Sequence, residues 1–153
     1  MKKLFLVIVS AAIVFSCSTS QKSEEANNEN VEEVSAEEPK EVEGRVYFIS
    51  PAEGDTLESN FTIEMGVEGM EIEPAGEIIE GKGHHHLIID GSFTEEGVIV
   101  PADSTHIHYG KGQTSAEVEL TPGSHTLTLQ FANGIHASFG EKWSSTISVF
   151  VKE

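Results

Sequence analysis

Two closely spaced groups of histidines are the residues of this chain whose types and spacing suggest chemistry. Residues 83–90 read GHHHLIID, and residues 106–114 read HIHYGKGQT. Neutral imidazole is a common ligand of Zn(II) and Cu(II). Histidine-rich tracts therefore point to metal binding, although the same residues on a sheet can also be solvated or can hydrogen-bond across strands.

The alternation of a β-strand sorts these histidines by face, because successive side chains point to opposite sides. The apolar phase of residues 84–90 contains Leu87 and Ile89 and also carries His85, so we expect His85 to point inward. In residues 105–109 the apolar phase holds Ile107 and Tyr109. The opposite phases of the two strands carry His84, His86 and Asp90 in the first, and His106 and His108 in the second.

Two His-x-His pairs result, and side chains two apart on a strand are about 6–7 Å apart. If the two strands are neighbours, four imidazole nitrogens can surround one ion, although periodicity does not fix the strand order. We predict a site for Cu(II) or Zn(II), with possible further ligands in the last two residues of this list: His84, His86, His106, His108, His136 and Asp90.

A structural role is predicted for the two inward-facing histidines, His85 and His125. His125 is in phase with Leu127 and Leu129, as His85 is with Leu87. Buried polar groups require hydrogen-bond partners, so we expect each ring to be semi-buried, with its N–H bonded to a backbone carbonyl.

The elements that must position these residues are predicted to be strands. About seven short strands, separated by turns rich in Gly and Pro, are expected in residues 45–153, and no window shows a sustained helical period. Alternation is clearest in residues 60–67 and 124–132. We predict an all-β, immunoglobulin-like sandwich with one core between two sheets. A small barrel is the alternative.

The N-terminal segment has the features of an export signal. Two lysines precede an apolar run that is too short for a membrane span of about 20 residues. The run ends in VFSC, which looks like the lipobox of bacterial lipoproteins, so residues 1–16 are predicted to be a signal peptide and Cys17 the lipidated residue. Residues 17–44 are predicted to be a disordered acidic tether. We therefore expect a lipid-anchored protein of the bacterial cell envelope, at the outer membrane and facing the periplasm or the surface.

The charge of the chain limits its partners. The formal net charge is −17, and residues 45–153 contribute −12 of it. Such a surface repels nucleic acid and anionic lipids and attracts cations. We expect membrane attachment only through the N-terminal lipid, no nucleic-acid binding, and another envelope protein as a possible partner.

No catalytic motif supports an enzyme. The chain has no Gly-x-Ser-x-Gly elbow, and YGKGQT lacks the spacing of a phosphate-binding loop. Besides a metal-binding protein, the sequence is compatible with a non-catalytic structural or interaction module whose histidines are hydrogen-bonding sheet residues. A pH switch is a third interpretation, because imidazole titrates near neutral pH.

The assembled motifs resemble the bacterial envelope family of domain of unknown function 4399. The resemblance rests on Gly-His-His-His followed by Ile-Asp, on His-x-His-aromatic-Gly-Lys-Gly-Gln-Thr, and on Pro-Gly-x-His-Thr-Leu, in this order along residues 45–153. The family pattern usually has Gly-Asp before its last histidine, where this chain has Asn133-Gly134. The resemblance implies an exported, sandwich-like, histidine-rich domain and supplies no mechanism.

Overall fold

The structure, a computed structural model, describes residues 44–153. The predicted signal peptide, the predicted lipidation at Cys17 and nearly all of the predicted acidic tether lie outside the described residues. Within residues 44–153, no helix is long and apolar enough to cross a membrane.

Nine strands and one short 3₁₀ helix (Glu141–Trp143) make up the secondary structure of the described residues. The strands are β1 (Arg45–Ser50), β2 (Thr56–Leu57), β3 (Asn60–Glu68), β4 (Glu71–Ile72), β5 (Lys82–Ile89), β6 (His106–His108), β7 (Ser115–Glu119), β8 (Gly123–Ala132) and β9 (Ser144–Val151). The predicted all-β fold is confirmed. The two strands beyond the expected seven, β2 and β4, have two residues each and are too short to show any alternation.

The strands form two sheets, with orders β1-β3-β7 and β2-β9-β8-β5-β4. β6 pairs with β5 on the same edge as β4, but further along the strand. The core lies between the sheets, where Ile63 and Met65 of β3 are buried together with Leu127, Leu129 and Phe131 of β8. These are the apolar phases that alternation assigned to the inside.

The outer face of the six-stranded sheet is also covered, which alternation alone does not predict. Thr128 and Gln130 lie on that face of β8 and are fully buried. The backbone N–H of Thr94 donates to Oε1 of Gln130 at 3.0 Å, and the hydroxyl of Thr128 donates to the carbonyl of Gly91 at 2.8 Å. The loop after β5 therefore packs over the sheet, and β5 is buried on both faces.

Candidate metal centre

β5 and β6 bring histidines from both sequence motifs together. The two strands are antiparallel neighbours, and His86 lies directly opposite His108. His84 is two residues before His86 and therefore on the same outer face of the sheet. The adjacency that the sequence left open is thus present in the structure.

The three rings point their Nε2 atoms at a common region. Nε2 of His84 lies 3.2 Å from Nε2 of His86 and 3.2 Å from Nε2 of His108. One nitrogen from each of the three rings lies within 4.8 Å of the others. We refer to His84, His86 and His108 as the histidine group.

A fourth ring, that of His136, reaches the histidine group from the loop after β8. Its Nε2 lies 3.1 Å from Nε2 of His108. Oδ1 of Asn133 accepts hydrogen bonds from the backbone N–H groups of Ile135 and Ala137, which holds the chain in a tight loop. His136 adopts a left-handed backbone conformation there, with φ of 71°. The geometry that aims this ring thus depends on an Asn-initiated turn, and the sequence named His136 only as a possible further ligand.

Two glycines, Gly110 and Gly134, make room for these rings. A Cβ on Gly110 would lie 2.1 Å from the ring of His108, and a Cβ on Gly134 would lie 1.9 Å from the carbonyl oxygen of Glu77. Neither position can hold a larger residue without moving its neighbours. Gly110 therefore keeps the position of the His108 ring free, and Gly134 lets the His136 loop lie against the chain at Glu77.

Burial keeps the rings of His84 and His86 uncharged. His84 and His86 are almost completely buried, whereas His108 is exposed. Burial, followed by repulsion from neighbouring imidazoles, lowers the pKa of His84 to about 4 and that of His86 to about 3. The same causes lower the pKa of His108. Neutral rings have the free lone pairs that metal binding requires.

The structure places His106 outside the histidine group. His106 pairs with Ile88, two strand positions beyond the pair of His86 with His108. Its Nδ1 lies 2.8 Å from Oδ1 of Asp103, in the turn that precedes β6. The hydrogen bond from His106 is the main cause that lowers the pKa of Asp103. Sharing a face with His108 is therefore not enough to bring His106 into the group, because its ring is bonded to Asp103.

Asp90 is also separate from the histidine group and interacts with His125. Its Oδ2 lies 2.9 Å from Nδ1 of His125, and its Oδ1 accepts the backbone N–H of Thr126. Nε2 of His125 lies 2.8 Å from the carbonyl oxygen of Thr121. Burial lowers the pKa of His125, but the bonds to Asp90 and Thr121 outweigh it, and the net pKa is raised. Both ring nitrogens face oxygen acceptors, which suits the protonated ring.

His85 points into the core, fully buried, with its ring centroid 5.1 Å from that of Phe131. Neither of its ring nitrogens has a hydrogen-bond partner among the described residues. The backbone hydrogen bond expected for His85 is therefore not present. Burial, followed by repulsion from His84, lowers the pKa of His85 to about 4.

Comparison with known proteins yields one finding. The family described as "Domain of unknown function (DUF4399)" matches residues 63–152, from within β3 to one residue past β9, and so includes every histidine discussed above. Neither the curated proteins nor the solved structures gave a significant match.

Proposed function

The chain belongs to the DUF4399 family, whose description states no function, and we propose from the site geometry that it binds one transition-metal ion, Cu(II) or Zn(II), through His84, His86 and His108. His136 is the proposed fourth ligand. We further propose that the chain is a lipid-anchored protein of the bacterial cell envelope, and that it buffers, delivers or senses the metal without catalysing a reaction.

The observation that carries this proposal is the spacing of the Nε2 atoms. Metal–imidazole bonds are about 2.0–2.1 Å long, so two nitrogens on one ion are about 3.3 Å apart in a tetrahedral site and about 2.9 Å apart at right angles. The Nε2 contacts of 3.1–3.2 Å lie between these values. Each of these three contacting pairs is therefore spaced as two ligands of one ion would be.

Hydrogen bonding alone does not account for these contacts. Each imidazole nitrogen has one in-plane position, which holds either a proton or a lone pair. Nε2 of His84 and Nε2 of His108 each contact two other Nε2 atoms. The contacts run from His86 to His84, then to His108 and then to His136. Because each Nε2 can take part in only one in-plane hydrogen bond, at most two of these three contacts can be hydrogen bonds. A cation at the shared point would accept all the lone pairs at once.

The surroundings of the rings favour a metal ion that binds reversibly. Ligand histidines usually donate their second N–H to a carboxylate or carbonyl, and loss of that bond lowers metal affinity about 10–100-fold. Nδ1 of His84 and Nδ1 of His86 are buried without a partner in the described part of the chain. We therefore expect reversible binding, which suits buffering, delivery or sensing better than a permanent structural role.

The aspartates near the histidine motifs support a binding role over a catalytic one. A metal-dependent hydrolase needs a general base beside the ion. Asp103 already accepts bonds from Thr105 and His106, and Asp90 already accepts bonds from His125 and Thr126.

The experiment is metal titration of the full chain, purified without an affinity tag and treated with a chelator. By calorimetry with CuCl2 and ZnCl2, we expect one ion per chain with a Kd below about 10 μM, equivalent to about −7 kcal/mol. His108→Ala should weaken binding at least about tenfold, because it removes one of the four proposed ligands. His106→Ala is the matched control on the same strand and should leave the affinity unchanged.

The alternative function, a structural or interaction module with hydrogen-bonding histidines, predicts a different result. The wild-type chain would then take up neither ion in this concentration range, and His108→Ala and His106→Ala would behave alike. A fall in affinity in His106→Ala equal to that in His108→Ala would place the ligands elsewhere than in the histidine group.

A further inference from the structure

Exposed aliphatic side chains are concentrated beside the histidine group. Seven large hydrophobic residues are exposed in residues 44–153, and five of them lie on the three loops next to His136. Their exposed fractions range from 39% to 62%. We call this set the aliphatic rim: Ile78, Ile79, Val98, Ile99 and Ile135.

Backbone pairing joins the three loops to one another. The N–H of Gly76 donates to the carbonyl of Gly134 at 2.8 Å, which places the loop before β5 against the loop after β8. The N–H of Val100 donates to the carbonyl of His136 at 2.9 Å. Ile99 also forms an isolated β-bridge with Ala137. The loops that carry the aliphatic rim are therefore held together by backbone bonds next to a proposed ligand.

The charge of these loops is of one sign. Residues 73–81, 91–101 and 133–139 contain five glutamates and no lysine or arginine. One of the five, Glu73, pairs with Lys82 at the start of β5, and four are left to border the rim. Contiguous exposed apolar surface that is bordered by polar groups is typical of interaction sites. Here the border is acidic, so a complementary surface must combine aliphatic side chains with cationic ones.

Two other occupants fit this charge poorly. A second copy would bring another domain with a net charge of −12 against the same acidic loops. An anionic membrane surface would be repelled by the same glutamates. We infer that the aliphatic rim docks a protein surface of aliphatic residues flanked by Lys or Arg, and that this partner exchanges the metal with the histidine group. The exchange, but not the docking, rests on the proposed function.

The test uses the full chain and an octapeptide of alternating Leu and Lys as the probe. By fluorescence anisotropy the labelled peptide should bind, and raising the salt from 50 to 500 mM should weaken binding. Ile78→Ser/Ile99→Ser removes two rim side chains on different loops and should weaken binding at least tenfold. The matched control, Ile49→Ser/Phe150→Ser, removes the two exposed hydrophobics outside the rim and should bind as wild type.

Three results would overturn the inference. An equal loss of peptide affinity in the two double variants would show that the peptide binds exposed hydrophobic side chains nonspecifically. Sedimentation that finds a wild-type dimer, absent only in Ile78→Ser/Ile99→Ser, would assign the rim to a second copy. Flotation with phosphatidylcholine vesicles that depends on the same two residues would assign it to lipid.

Metal titration of the rim variant separates this inference from the proposed function. Ile78→Ser/Ile99→Ser should keep the wild-type metal affinity, because both side chains are exposed on loops outside the histidine group. Peptide binding without metal uptake by the wild type would refute the metal function and the exchange that rests on it, but not the docking. Metal uptake without rim-dependent peptide binding would refute the docking surface alone.

Discussion

Replacing His85 by Leu should stabilise the protein, although His85 is one of three consecutive histidines at residues 84–86. The ring is fully buried in the core against Phe131, and both ring nitrogens lack partners in the described residues. An unsatisfied buried polar group costs about 1–3 kcal/mol. Leu has a similar volume, and such exchanges usually cost less than about 1.5 kcal/mol in packing. At pH 7.5 we expect the free energy of unfolding to rise by about 1–2 kcal/mol.

The gain should be larger in acid, since burial lowers the pKa of His85 to about 4 while the unfolded value stays near 6.5. With a folded pKa below the unfolded one, the unfolded chain takes up the proton first. Stability is therefore lost as the pH falls from about 6.5 towards 4. At pH 5.0 this linkage amounts to about 2 kcal/mol for one such group. His85→Leu removes it, so its advantage should grow by about that amount between pH 7.5 and 5.0.

Urea unfolding with a chelator present, followed by the fluorescence of Trp143, measures both effects. His125→Leu is the matched control, because both of its ring nitrogens are hydrogen-bonded, and this variant should be less stable than wild type at both pH values. The reasoning is refuted if His85→Leu is destabilised by more than about 1 kcal/mol at pH 7.5, or if its advantage over wild type is the same at pH 5.0.

Two further predictions follow from loop geometry and from the His125 pair. Gly134→Ala should weaken metal binding by misplacing His136. Gly76→Ala is the control and should leave metal binding unchanged, because an added Cβ there meets nothing within 4 Å. Calorimetric titration compares the two variants, and equal metal affinities would contradict the role of the loop. His125→Ala should lose more stability at pH 6 than at pH 8.5. The pKa of His125 is raised in the folded protein, so protonation of this ring stabilises the fold below the unfolded pKa. This contribution is lost as the pH rises through the folded pKa. A pH-independent loss, measured by thermal melting, would show that the charge of the pair with Asp90 contributes nothing.

The strand pattern determined much of the fold and the facing of the main histidines. Alternation along β3 and β8 assigned the buried side chains correctly, because period-2 side-chain direction is a local property of extended backbone. The same rule put His84 and His86 on one face and His85 on the other, which is how the structure has them. Short elements such as β2 and β4 carry too few residues for such a signal.

Tertiary structure decided which rings meet, because meeting depends on strand order, register and loop paths that alternation does not encode. Register placed His108 opposite His86 and His106 two pairs further along the ladder, where its ring bonds Asp103. The loop after β8 brought His136 to the histidine group from a separate part of the chain. Loop packing over the outer face buried the rings that alternation alone would have left in water, and this burial keeps them neutral at pH 7. The sequence determined which side chains can share a face, and long-range packing determined which of them share a point.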